Sequence, residues 1–178
     1  MRGNSERIGE EEMNETYIEL LIKKKTPLYL SLLKMLSSML AICFLAVGVI
    51  LFMWQALIIG VVIGIVAYFI YMNANLEYEY LYLDKELSID KVMAKSKRKK
   101  VASFDMEKME IMAPLNSYQL DSYKNRNVKI VDYSSGEEKQ PDLRYAFYYD
   151  GKQKVIFEPN AEMVKAIQMI APRKVFQN

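Results

Sequence analysis

From Leu28 to Met72 the chain is apolar and carries a single formal charge, Lys34. Met53-Trp54-Gln55 divides the run into two pieces. As helices, Leu30 to Phe52 would rise roughly 34 Å and Ala56 to Met72 roughly 25 Å, lengths matched to a hydrocarbon core of about 30 Å. A bilayer offers no partner to unpaired backbone N–H and C=O groups, so two helices joined by a short turn are expected over 28–73. After Asn73 the period changes from helical to two. LEYEYLYLD places Tyr78, Tyr80 and Tyr82 on one face and Glu77, Glu79, Leu81 and Leu83 on the other, and ELSIDKVMA alternates in turn, which predicts a β-hairpin about Asp84-Lys85. KSKRKK follows as a basic turn, then VASF, MEIMA and NVKIVDY as short strands. LRYAFYYDGKQKVIFE reads as a second hairpin about Asp150-Gly151, residue types that tolerate positive φ. Pro159 then bars further strand, Asn160 is suited to cap, and Met163, Ala166, Ile167, Ile170 and Ala171 form the stripe of a closing helix that Pro172 ends.

Ahead of the apolar run, NETYIELLIKKK places Ile18, Leu21 and Ile22 on one helical face, with lysines gathered at its end. Residues 13–27 are therefore expected as an amphipathic helix, either along a membrane surface or packed on the following domain. Residues 1–12 are polar and expected to be disordered. Gly9-Glu10-Glu11-Glu12 would be encoded by a purine-rich stretch ahead of Met13, which points to Met13 as the true start. The fold class that emerges is an α+β membrane protein: a transmembrane helical hairpin, then over 75–172 a small antiparallel β-barrel or sandwich capped by a C-terminal helix, with 173–178 as a tail. Lys23, Lys24 and Lys25 precede the hairpin and the basic run follows it, while the connecting turn has no charge, so both termini are expected on the cytoplasmic side of a plasma membrane.

Composition narrows the chemistry. The 178 residues include no histidine, which removes the commonest general base and metal ligand. The one cysteine, Cys43, lies in the first apolar helix, where packing outweighs reactivity. Acidic residues such as Asp105, Glu107 and Glu110 have neither a histidine nor a Gly-rich phosphate loop beside them. No catalytic residue, metal or cofactor is expected. Net charge is +2 and no basic stripe with interleaved aromatics extends beyond the turn, which argues against nucleic acid.

The order of elements, carried by YEYLYLDKELSIDKV and KRKKVASFD just after the second apolar helix, resembles the pleckstrin-homology-like domain of bacterial two-helix membrane proteins. The sequence is also similar to an uncharacterised family in which IELLIKKKTP precedes the hairpin. The resemblance implies the fold and no activity. Eukaryotic members bind phosphoinositides through a basic pattern in the loop between the first two strands. Here that loop is read as Asp84-Lys85-Glu86, so no such residues are carried over.

Three sets of residues remain as candidates. Lys95, Lys97, Arg98, Lys99 and Lys100 form a turn that strand geometry returns to the bilayer, where each cation gains about 1 kcal/mol from anionic phospholipid. The competing reading is an ordinary solvated turn. Ala56, Gly60 and Gly64 recur every four residues and allow close helix packing, either on the first helix through Ala41 or Gly48 or in a homo-oligomer. Tyr78, Tyr80 and Tyr82 are either sheet packing or, facing outward, a strip for a protein partner. These features favour a membrane-anchored, non-enzymatic binding module that contacts anionic lipid and a protein partner. The alternative is a structural subunit of a larger membrane complex assembled through the hairpin.

Overall fold

The computed structural model describes residues 17–177. The expectations for 1–12 and for a start at Met13 lie outside that range. The element order is β1 (Ile18–Lys23), α1 (Leu28–Ile50), α2 (Trp54–Ala74), β2 (Leu76–Leu83), β3 (Glu86–Met93), β4 (Lys97–Asp105), β5 (Met109–Pro114), β6 (Lys129–Asp132), β7 (Tyr145–Tyr149), β8 (Gln153–Phe157) and α3 (Ala161–Ile170).

The expected helix over 13–27 is replaced, among the described residues, by β1. Ile18, Leu20 and Ile22 stand opposite Tyr82, Tyr80 and Tyr78 in antiparallel register. The run IELLI satisfies both periods, and the strand prevails because β2 offers a full ladder of N–H and C=O groups beside an apolar face. The domain therefore begins before the hairpin, and the 75 boundary cuts it. Two neighbouring strands of one sheet are joined by the two long helices. Their junction is tight: the Lys24 amide donates to the Leu76 carbonyl at 2.9 Å and the Thr26 hydroxyl to the Ala74 carbonyl at 2.6 Å.

The helices run 23 and 21 residues and are long and apolar enough to cross a membrane. Most of their large side chains face outward. Gly48 of α1 lies against Leu57, and Gly60 of α2 against Leu45, at backbone-to-backbone range. Ala41 and Ala56 are buried with them. Gly64, by contrast, has open space where a side chain would begin. The small-residue repeat thus divides, with Ala56 and Gly60 serving the chain's own first helix and Gly64 unused within it. Lys34 lies 5.5 Å from the ring centre of Tyr71 across the helix pair.

Two four-stranded sheets face each other, ordered β1-β2-β3-β4 and β5-β7-β8-β6. Aromatic edges interlock between them: Tyr80 meets Phe157 at 5.8 Å and Phe104 meets Phe147 at 5.2 Å between ring centres. Of the two expected forms, barrel or sandwich, the barrel does not close, since β4 and β5 do not pair and a single turn of 3-10 helix (Met106–Lys108) separates them. Nor is the pairing wholly antiparallel, because β6 runs parallel to β8. The hairpin turns at Asp84-Lys85 and Asp150-Gly151 form with positive φ at all four residues. In α3, the Asn160 side chain accepts the Met163 amide at 2.8 Å, and Met163 and Ile167 are fully buried in the inter-sheet core. The segment expected as a tail is also in the fold, for Val175 bridges in parallel to Met112 and is buried.

Candidate membrane-facing surface

One end of the first sheet carries the cationic groups, and register fixes which end. β2 starts where α2 stops, Leu76 is opposite Met93, and Met93 is opposite Lys97. The turn between β3 and β4 therefore comes back to the helix end, where the Ala94 amide donates to the Asn75 carbonyl at 2.8 Å. Lys95 sits on this turn. Lys97, Arg98, Lys99 and Lys100 do not; they open β4, the exposed edge of the sheet. An edge strand with free backbone groups invites pairing by other chains, and successive lysines discourage it. That physical demand draws the basic run from turn into strand.

Alternation divides the run. Arg98 reaches across the sheet to Glu79 at 3.0 Å, and Lys100 bridges Glu86 at 3.3 Å. Glu86 also accepts from Ser103, and this bond, with Lys100, holds its carboxyl below the usual range. Lys95, Lys97 and Lys99 have no carboxylate within ion-pair distance among the described residues. Glu79 is the unusual partner. Its side chain is only 1 % exposed, and one of its oxygens has no hydrogen-bond partner. Burial pushes its carboxyl up, as does the neighbouring Glu19, while Arg98 pulls it back.

Tyr78, Tyr80 and Tyr82 are at most 7 % exposed, so the outward strip for a protein partner does not exist. Large rings gain more from the inter-sheet core than the glutamates between them, and β2 is covered on both sides. The Tyr80 hydroxyl donates to the Tyr133 carbonyl at 2.7 Å and receives the Glu158 amide at 3.3 Å. The Tyr82 hydroxyl has no partner, and burial pushes it up to about 12.

A second cationic feature escaped the sequence. Beside the junction of β1 and α1 lies a cavity of about 510 Å³, bounded by Lys23, Lys24 and Lys25 on one side and by Ser135, Lys139 and Glu158 on the other. The Lys25 amide donates to the Ser135 carbonyl at 2.8 Å, tying the two walls together. The triple lysine was legible only as a topology signal. Its partners lie more than a hundred residues away, in the segment after β6 and at the end of β8, which no periodicity links to it.

A sequence model described as Bacterial PH-like domain (DUF6106) matches residues 14–177. The chain belongs to this family. The match spans β1, both long helices and the segment after α3, so the helical hairpin is part of the PH-like unit rather than a leader to it. Comparison with curated proteins and with solved structures finds no match. PH-like domains are generally binding modules rather than catalysts, and the family is one of unknown function.

Proposed function

We propose that this PH-like chain is a membrane-anchored binding module whose cytoplasmic domain contacts anionic lipid of the inner leaflet through the β3–β4 end of its first sheet. The observation that carries the reading is the pairing of β1 with β2 across the hairpin. Both ends of the hairpin must lie on one side of the bilayer for that ladder to form, which supports two spans. The lysines flanking it favour the cytoplasmic side. The same ladder holds the domain at a fixed angle to the helices, and the Ala94–Asn75 hydrogen bond sets Lys95 at the level of the helix end. With Arg98 and Lys100 engaged by carboxylates, Lys95, Lys97 and Lys99 are the cations available to lipid, together worth about 3 kcal/mol at a fully anionic surface.

The test uses the full chain in nanodiscs, with an environment-sensitive fluorophore at Ser96→Cys in a Cys43→Ser background. Headgroup-level burial of the probe in anionic but not neutral discs, reversed by 0.5 M salt (about a 4–5 Å screening length) and by Lys97→Gln/Lys99→Gln, is the expected result. Equal burial in both kinds of disc would remove the lipid role and leave the lysines as edge protection.

A second reading, assembly through the hairpin as a structural subunit, is favoured by the unfilled space at Gly64. Gly64→Leu would then shift the oligomeric state in mild detergent, whereas a monomeric hairpin would not respond.

A further inference from the structure

Glu79 stands on the outer face of the first sheet, and its surroundings satisfy only one of its oxygens. Oε1 is held by Arg98 of β4 at 3.0 Å, while Oε2 is buried and receives no donor. A carboxylate oxygen left without a donor and out of water is costly. What lies beside it is a second carboxyl. β1 sets Glu19 opposite Leu81 and Leu21 opposite Glu79, so the two glutamates are diagonal neighbours on one face, and their carboxyls come within hydrogen-bonding reach. Two carboxylates have no hydrogen to place between them. One of the pair must take up a proton before the contact becomes a bond.

The environment determines which one does. Glu19 is exposed and already accepts the Tyr17 hydroxyl on Oε2 at 2.8 Å. Tyr17 first, and Glu79 second, hold the Glu19 carboxyl below the usual range. Burial first, and Glu19 second, push that of Glu79 up against the pull of Arg98. The other charged groups around Glu79 are Asp90, directly opposite on β3, and Glu77, next on the same face of β2. Lys23 and Lys100 stand further out, opposite Glu77 and Asp90.

We propose that Glu79 is a proton-operated selector between the two outer strands of its sheet: protonated, it donates to Glu19 and holds β1; ionised, it repels Glu19 and holds β4 through Arg98. The pair carries one proton between the lowered value of Glu19 and the raised value of Glu79, and titrates as a unit. The hold on β1 is therefore lost as pH rises through the raised value. β1 runs into α1 past the Lys24–Leu76 and Thr26–Ala74 contacts, so the proton acts on the strand that ties the hairpin to the domain. The selector stands on the first sheet alone and does not depend on what the β3–β4 end touches.

The test follows amide hydrogen exchange of segment 18–23 in the full chain in mild detergent from about pH 4.5 to 9, corrected for intrinsic rates, with segment 153–157 of the other sheet as reference. Protection of β1 relative to the reference should fall about tenfold or more as Glu79 ionises, the worth of one charge-assisted hydrogen bond. Glu79→Gln, which keeps a donor and cannot ionise, should stay protected across the range. Arg98→Gln should move the midpoint upward, because the cation that favours ionisation is gone. Infrared absorption of isotope-labelled glutamate reads the proton directly, and a protonated-carboxyl band that fades with the same midpoint and is missing in Glu79→Gln is the expected result. Parallel β1 profiles in the wild type and Glu79→Gln would overturn the selector, as would a midpoint that Arg98→Gln leaves in place or lowers.

Discussion

Gly48 and Gly64 are chemically the same residue in similar helices, and the structure assigns them opposite consequences. A Cβ on Gly48 would lie 2.7 Å from two side-chain carbons of Leu57 and 2.9 Å from its backbone nitrogen. Relaxed carbon contacts are about 3.5–4.0 Å. The overlap is therefore on the order of 1 Å, and because part of it is with backbone, a rotamer change of Leu57 cannot relieve it. The helices must separate, and overpacking of this kind costs about 1–3 kcal/mol. Both Gly48→Ala and Gly64→Ala also gain up to ~1 kcal/mol of helix propensity, and that contribution cancels when the two variants are compared. Nothing lies within 4 Å at Gly64. Gly64→Ala should then unfold later than Gly48→Ala by about 1–3 kcal/mol, with Gly60→Ala, which meets the Leu45 backbone nitrogen at 3.0 Å, close to Gly48→Ala. Denaturant unfolding in micelles, followed by fluorescence of Trp54 beside the interhelical turn, measures the order. Equal midpoints, or Gly48→Ala the more stable, would refute the close approach of the helices.

Two other expectations concern the domain. The raised folded value of Glu79 means that its contribution to stability is full below the ordinary glutamate range and is lost as pH rises through the raised value. Glu79→Gln should therefore match or exceed the wild type in melting temperature at pH 7.5, with the difference closing toward pH 4; a gap that widens on acidification would contradict the assignment. Replacing residues 28–73 by a short Gly/Ser linker should give a folded, soluble domain by near-ultraviolet circular dichroism, since Thr26 and Ala74 are already in contact. A fragment starting at Asn75 should aggregate for want of β1, and equal solubility of the two would show that β1 is dispensable.

What could be read from the sequence was local. β2, β3 and the β7–β8 hairpin follow from strict alternation and turn residues that accept positive φ, and α3 from Asn160, its stripe and Pro172. β1 did not, because Ile18, Leu21 and Ile22 satisfy a helical period while Ile18, Leu20 and Ile22 satisfy a strand. Its partner is about sixty residues away, on the other side of the hairpin. Long-range pairing likewise explains the missed parallel strand and the excluded tail, since pairing of β6 with β8 and of Val175 with Met112 leaves no mark on either segment alone. Of the candidate site, the basic run was visible and its placement on an edge strand was not. The sidedness of Tyr78, Tyr80 and Tyr82 was undetermined until a second sheet covered them.

The insertion of two long helices between paired strands also governs the order of events as the chain is made. β1 leaves the ribosome ahead of both helices and has no partner until β2 follows, more than fifty residues later. In a membrane-spanning chain, both helices must have been inserted by then. A polypeptide that crossed only once would hold β1 and β2 in different compartments, leave the Tyr80 face uncovered and never complete its sheet. Correct threading is thus a precondition of a folded domain, and a misthreaded copy would present itself to proteases as an unfolded one.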